Sequence, residues 1–260
     1  MNTLIVVPTY NEAENLETLC RRIAAAMPHA DVLVMDDGSP DGSADLADQM
    51  FRDEPEFQGY RVVRRAGPRG LGRAYRDGFA RALDMGYDRI VQMDADLSHD
   101  PAVLPPLVAA SGAAGLAIGS RYCPGGSVRN WPARRLLLSR FACWYVQRVA
   151  GIPVLDATAG YRCWSAAALT AVDLATVKSE GYSFQVEMAY RAARAGVPIV
   201  EIPIEFVDRQ FGRSKISRAV LMESFLMPWK LRLRPWRSTA GLSAGRERET
   251  PAAIEQRLAE

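Results

Sequence analysis

Asp94-Ala95-Asp96 sets two carboxylates two residues apart at the end of a short apolar run, residues 90–93. In extended backbone, residues two apart face the same side. Carboxylates crowded into one cleft repel unless a cation sits between them. Mg²⁺ and Mn²⁺ favour oxygen ligands and take one or two carboxylates together with substrate phosphate. The spacing therefore suits a diphosphate carried on a metal, with Asp94 and Asp96 as the metal ligands. It suits equally a plain strand end, with Asp96 turning the chain toward a helix at Pro101. Asp36-Asp37-Gly38-Ser39-Pro40 has the same double character. It is good turn chemistry, and it also offers carboxylates that can accept hydrogen bonds from a base or ribose.

Gly70-Leu71-Gly72 invites a phosphate-loop reading, but no GxxxxGK[ST] is present and GxGxxG fails at Tyr75. A turn before a helix accounts for it. The neighbouring Arg64, Arg65, Arg69 and Arg73 read as solvated charge and stay off the candidate site.

The elements that position these residues follow from hydrophobic pattern. Residues 4–7, 32–35, 60–63, 90–93 and 116–118 are short, nearly continuous apolar runs, as strands covered on both faces require. Helical spacing predicts helices over 12–26, 42–52, 71–85 and 101–110, with Asn11 as N-cap of the first. Alternating strands and helices imply an α/β fold built from parallel βαβ units. Ligands in such sheets collect at the carboxyl ends of the strands, where both acidic motifs fall. Further on, residues 123–132 read as a loop, 133–150 and 183–195 as helices, and 200–207 as an edge strand because of Pro203. Residues 214–229 read as a helix ending at Pro228, and 238–260 as a charged tail. One domain is expected over 1–237, with a nucleotide-binding half to about 120 and an acceptor half after it.

Composition narrows the class. Among 260 residues, Lys and Arg total 32 against 30 Asp and Glu, so the net charge of +2 gives no footprint for nucleic acid. The four cysteines form no CxxC pair and there are two histidines, which argues against a zinc site or a disulfide framework and fits a reducing cytoplasm. No basic stretch precedes the first apolar run, so no signal peptide is expected. No run of about 18 apolar residues suggests a spanning helix.

Taken in order, the motifs resemble those of the family 2 glycosyltransferases of GT-A fold, most closely the dolichol-phosphate or polyprenol-phosphate mannose synthases. The segments that carry the likeness are Val6-Val7-Pro8-Thr9-Tyr10-Asn11-Glu12, Met35-Asp36-Asp37-Gly38-Ser39-Pro40-Asp41-Gly42 and Gly70-Leu71-Gly72. They continue with Met93-Asp94-Ala95-Asp96-Leu97-Ser98-His99, Gly119-Ser120-Arg121-Tyr122, Asn130-Trp131-Pro132 and Gly212-Arg213-Ser214-Lys215. The resemblance covers about residues 3–230. It implies a GT-A, Rossmann-like and mostly parallel sheet flanked by helices, with C-terminal amphipathic helices. It also implies mannosyl transfer from GDP-mannose to polyprenyl monophosphate with inversion, using Mg²⁺ or Mn²⁺. Pro8, Tyr10, Glu12, Asp36 and Asp37 would serve the nucleoside. Asp94, Ala95 and Asp96 would approach ribose, diphosphate and metal. Arg121 would sit near the acceptor phosphate, and Arg209 and Lys215 would clamp phosphate from a loop. Ser98 stands where many relatives carry Gln. A UDP-sugar donor and a non-catalytic sugar-nucleotide binder are the alternatives.

The missing base agrees with that acceptor. His29 lies in a helix-to-strand connection and His99 follows the acidic motif, after Leu97 and Ser98. A hydroxyl acceptor needs a base at neutral pH. A phosphate monoester, with a second pKa of about 6, is already anionic. The protein then has to hold two anions close and offset charge on the leaving group, tasks for a divalent cation, Arg and Lys. A polyprenyl tail, at about 0.8 kcal/mol per buried CH₂, stays in the bilayer. Residues 131–149 and 214–237 mix aromatic and aliphatic side chains with clustered Arg and Lys, as an interfacial helix does. A peripheral protein on the cytoplasmic face of a membrane is expected, with an integral-membrane partner subunit as a further expectation.

Overall fold

The structure is a computed structural model that describes residues 2–208, 218–233 and 235–236. Arg209, Lys215 and the expected tail 238–260 lie outside the described residues. In chain order the elements are β1 Thr3–Thr9, α1 Ala13–Ala26, β2 Asp31–Asp36, α2 Ser43–Asp53, β3 Arg61–Arg64 and α3 Leu71–Asp84. There follow β4 Arg89–Gln92, α4 Leu104–Ala114, β5 Leu116–Ser120, β6 Ser127–Arg129 and α5 Ala133–Ala150. The last are β7 Arg162–Ser165, α6 Ala166–Ala171, α7 Gly181–Arg194, β8 Ile199–Pro203, β9 Glu205–Val207 and α8 Arg218–Leu233.

Seven strands form the main sheet in the order β3-β2-β1-β4-β7-β5-β8. All pairings are parallel except those of β7, which runs against both β4 and β5. Pleating sends Leu4 and Val6 to one face and Ile5 and Val7 to the other, and both faces are dry. Leu16, Leu19 and Ile23 of α1, with Leu104 and Leu107 of α4, cover the second face. Tyr75 and Phe79 of α3, Leu169 of α6 and Phe184 of α7 cover the first.

Three local expectations change. Asn11 does not cap α1: it sits at φ 60°, and no side chain caps the helix from the cap position, Glu12. The amides leading into the helix are met by side chains from the neighbouring strand end instead. Asn11, Glu12 and Ala13 donate to Ser39 Oγ, Ser43 Oγ and Asp41 Oδ2, each at 3.0 Å. The expected edge strand over 200–207 breaks into β8, at the edge of the main sheet, and β9, which pairs with β6 inside the expected loop. Helix α8 continues through Pro228 to Leu233. A proline costs one backbone bond and bends a helix, and packing against its neighbours carries the helix past it.

The unforeseen strand β7 matters most. Because it runs backwards, its entry rather than its exit lies at the carboxyl ends of the parallel strands, with Arg162 beside Gln92 and Ile118. The loop feeding β7, residues 155–161, is thereby delivered to the edge where ligands collect.

Candidate active site

At the ends of β1 and β2 the side chains lock one another. Asp36 is 1% exposed and accepts from Thr9 Oγ1 at 3.2 Å, Gly38 N at 2.9 Å, Ser39 N at 3.0 Å and the Ser39 hydroxyl. Its carboxylate shapes the turn. Asp37 pairs with Arg65 and accepts the Gly70 amide at 2.9 Å, which ties the turn before α3 to the same edge. Glu12 accepts from Asn15 Nδ2 at 2.9 Å. Arg69, set aside in the sequence as solvated charge, belongs to this wall. Its guanidinium lies 4.3 Å over the Tyr10 ring and donates to Tyr10 Oη at 2.6 Å, Asp37 O at 3.0 Å and Gly38 O at 3.3 Å. Pro8, Tyr10, Glu12, Asp36, Asp37 and Arg69 thus gather around two neighbouring strand ends.

Asp94 and Asp96 follow β4, the strand beside β1. The chain does not stay extended there. It bends, and Leu97 takes φ 60°, so a turn rather than strand alternation presents the two acids. Asp96 Oδ1 accepts the Ser98 amide at 3.1 Å. Ser98 is buried and contributes its backbone to that turn. Asp94 Oδ1 accepts the Tyr75 hydroxyl at 2.9 Å, and the Asp94 amide donates to His99 Nδ1 at 3.2 Å. The His99 ring stacks on Tyr161 with centroids 4.8 Å apart. Burial, with Asp94 adding to it, pushes the Tyr75 phenol well above its ordinary pKa, so it remains a donor. Ala95 is buried between two partly exposed carboxylates. Among the described residues no cluster of three or more acidic, His or Cys side chains could cage a metal by itself. Two carboxylates of hard oxygen chemistry, steadied by a phenol and an amide, fit Mg²⁺ or Mn²⁺ that completes its shell on substrate phosphate.

Arg121 follows β5, across β7 from the acids. It is buried, with Nε donating to Asp156 Oδ2 at 2.7 Å and Nη2 to Asp156 Oδ1 at 2.6 Å and Thr158 Oγ1 at 2.7 Å. Rings of Tyr122, Phe206 and Trp131 surround it at 5.1, 5.5 and 5.6 Å. Burial opposes its charge, yet the Asp156 carboxylate more than offsets this and holds the guanidinium above its ordinary pKa. Burial likewise works against Asp156, and Arg121 holds that carboxyl below the usual range.

The loop 155–161 joins the two regions. Glu201 of β8 accepts the amides of Leu155 and Asp156 at 2.7 and 2.9 Å. Arg162, wholly buried, donates to the carbonyls of Ala159 at 2.8 Å and of Ala157 and Gln185 at 2.9 Å. Burial lowers its pKa to about 10, which leaves it charged at neutral pH. Gly160 sits so close to the acidic motif that a Cβ there would lie 3.2 Å from Asp94 Oδ2 and 3.5 Å from His99 Cε1. Tyr75, Asp156, Gly160 and Arg162 are the residues the sequence reading missed. The one signal was an acid in a run of small residues, Asp156-Ala157-Thr158-Ala159-Gly160.

The open, mostly parallel α/β sheet with acidic motifs along its carboxyl edge is the GT-A-type architecture of glycosyltransferases. The chain belongs to glycosyl transferase family 2, whose family model matches residues 4–169. An undecaprenyl-phosphate mannosyltransferase of Micrococcus luteus is 46% identical over 224 residues, which span 86% of this chain and 91% of that protein. A polyprenol monophosphomannose synthase of Mycolicibacterium smegmatis is 45% identical over 235 residues, 89% of this chain and 88% of that one. Among solved structures, a mannosyltransferase of Pyrobaculum calidifontis in complex with GDP-mannose and Mn²⁺ aligns with TM-score 0.61 at 17% identity, covering 92% of this chain and 66% of the other. Glucosyl-3-phosphoglycerate synthase of Mycobacterium tuberculosis with Mn²⁺ and UDP aligns at 0.60 and 19% identity, covering 88% and 77%. At those identities the two structures speak to the fold.

Proposed function

We propose that this chain transfers mannose from GDP-mannose to a polyprenyl monophosphate, with inversion, giving polyprenyl phosphate mannose. The observation that carries this is the pair of relatives at 46% and 45% identity, which are matched nearly end to end and act on such lipids by name. Asp94 and Asp96 would hold Mg²⁺ or Mn²⁺, which when bound offsets charge on the departing nucleoside diphosphate. The wall of Pro8, Tyr10, Glu12, Asp36, Asp37 and Arg69 binds the nucleoside. Arg121 meets the acceptor phosphate, and Arg209 and Lys215 would add positive charge to phosphate, as the sequence resemblance implies. The acceptor oxygen attacks the anomeric carbon as the bond to the diphosphate breaks. Among the described residues none is needed as a base, because the phosphate arrives ionised.

The acceptor places the enzyme at a membrane, and its C-terminal helices suit that location. Among the described residues no helix is long and apolar enough to cross a membrane. Helices α5 and α8 pack together, with Tyr145 stacked on Phe225 at 5.0 Å and its hydroxyl on Phe225 O at 3.0 Å. Their outer sides expose Leu137, Leu138, Phe141 and Trp144 on α5 and Phe225, Leu226, Trp229 and Leu233 on α8. Arg134, Arg140, Arg148, Lys230 and Arg232 are exposed among them. Aromatic and aliphatic side chains beside cations match an anionic lipid surface. The cytoplasmic face is part of this proposal, and an integral-membrane partner subunit rests on the sequence resemblance alone.

The test is to incubate purified protein with polyprenyl phosphate, Mg²⁺ or Mn²⁺, and a panel of GDP- and UDP-sugars. Release of GDP in step with a mannosylated phospholipid is expected. Turnover of a UDP-sugar in its place would overturn the donor assignment.

A further inference from the structure

Asp156 has no role in the reaction as described so far, yet it is fully buried and both its oxygens bond Arg121, with Thr158 Oγ1 at 3.3 Å and Cys143 Sγ at 3.6 Å also donating to Oδ1. Its Oδ2 takes both the backbone amide of Arg121, at 3.0 Å, and Nε, at 2.7 Å, while Oδ1 takes Nη2 at 2.6 Å. A guanidinium carries five N–H groups in a rigid plane. Nε and Nη2 are occupied by Asp156 and Thr158. The two N–H groups of Nη1 make no hydrogen bond among the described residues. The arginine is therefore left with one edge that makes no hydrogen bond among the described residues, and rings of Tyr122, Phe206 and Trp131 lie 5.1, 5.5 and 5.6 Å from the guanidinium.

We propose that Asp156 is a positioning residue for transfer. It aims the Nη1 edge of Arg121 at the acceptor phosphate, and the loop it shares with Gly160 fixes that edge relative to Asp94. This rests on the acceptor being a phosphate, as proposed above.

The rigidity of the loop supports the assignment. An anion, Glu201, holds its entering amides, and a cation, Arg162, holds its carbonyls at 157 and 159. Gly160 then lies against Asp94. One short, doubly anchored segment thus touches the acceptor arginine at one end and the acidic motif at the other. Positioning also explains an arrangement that charge alone does not. A carboxylate against Arg121 weakens its attraction for a phosphate, so a protein that used Arg121 only as a point charge would gain by losing Asp156.

The two possibilities give opposite signs in one variant. In Asp156→Asn the carboxylate charge goes while the shape stays. Positioning requires kcat/KM for polyprenyl phosphate to fall at least tenfold, with GDP-mannose affinity in the presence of Mn²⁺ unchanged within twofold. Unchanged or improved acceptor kinetics would overturn it, and so would an equal loss of donor affinity, which marks a merely structural role. Arg121→Lys keeps the charge and loses the fork, and it is expected to show the same acceptor-specific loss. If Asp156→Asn does not fold, Arg121→Lys decides: full acceptor kinetics in that variant overturns the proposal. A wild-type enzyme with no activity on any polyprenyl phosphate would instead sink the proposed function itself.

Discussion

Tyr75 of α3 donates its phenol to Asp94 Oδ1 at 2.9 Å, joining the helix that covers one face of the sheet to the first acid after β4. Groups that steady a metal-ligating carboxylate typically contribute about 10–100-fold in metal affinity or activity. Tyr75→Phe keeps the ring, its stacking on Phe184 at 6.0 Å and the packing of α3. We expect a Mn²⁺ requirement raised about tenfold, with thermal stability little changed because Asp94 is partly open to water. A titration of activity against Mn²⁺ reads this directly, and an unaltered midpoint would exclude the role.

Gly160 marks how tightly the β7 loop packs on the acids. A methyl group there would meet Asp94 Oδ2 at 3.2 Å and His99 Cε1 at 3.5 Å. Gly160→Ala should fold, since a shift of a few tenths of an ångström relieves the contact, and that shift moves the carboxylate. The expected outcome is a loss of transfer of about tenfold or more, following the sensitivity of catalysis to small misplacements. Circular dichroism serves as the control, and wild-type rates in a folded variant would contradict the packing described.

Acid should slow transfer through the substrate. The second ionisation of a phosphate monoester lies at about 6, and below it the dianion gives way to a less nucleophilic monoanion. The Arg121–Asp156 pair does not supply that limb. Asp156 is held below its ordinary pKa, so its contribution is present above the unfolded carboxyl value of about 3.9 and is lost only as pH falls through the lower folded one. The acid limb of kcat/KM should therefore move upward with a more basic phosphonate analogue of the acceptor. A limb that stays fixed would point to a protein group instead.

How much of this could be read beforehand depended on burial. Strands β1, β2, β4 and β5 are covered on both faces, so their runs are nearly continuous and stand out. Strand β7 is equally buried but spans four residues and opens with a charged Arg162. That arginine is tolerated because carbonyls satisfy it, a tertiary fact with no local mark. Asp94, Asp96 and Arg121 were legible as motif residues. What was hidden was their setting: the turn at Leu97, the phenol of Tyr75 and the carboxylate of Asp156. Arg69 and Arg73 look alike in sequence, and only the fold carries Arg69 onto Tyr10 while Arg73 faces Glu180.

The exposed row on α5 and α8 should govern access to the lipid. Replacing Leu137, Phe141 and Trp144 together by Ser removes apolar surface that is already more than half exposed, so the fold should tolerate it. Sedimentation with anionic vesicles at low salt should fall about tenfold, and high salt should release the wild type. Equal partitioning of the wild type at both salt levels would count against electrostatic docking.

The central claim is that Asp94 and Asp96 gather a divalent cation and the donor diphosphate on the side facing Arg121. Crystals grown with GDP-mannose and Mn²⁺, with anomalous data collected at the manganese edge, test it most directly. We expect one manganese peak in contact with a carboxylate of the Asp94–Asp96 motif and with the diphosphate. A peak elsewhere, or ordered donor with no ion beside those acids, would contradict it.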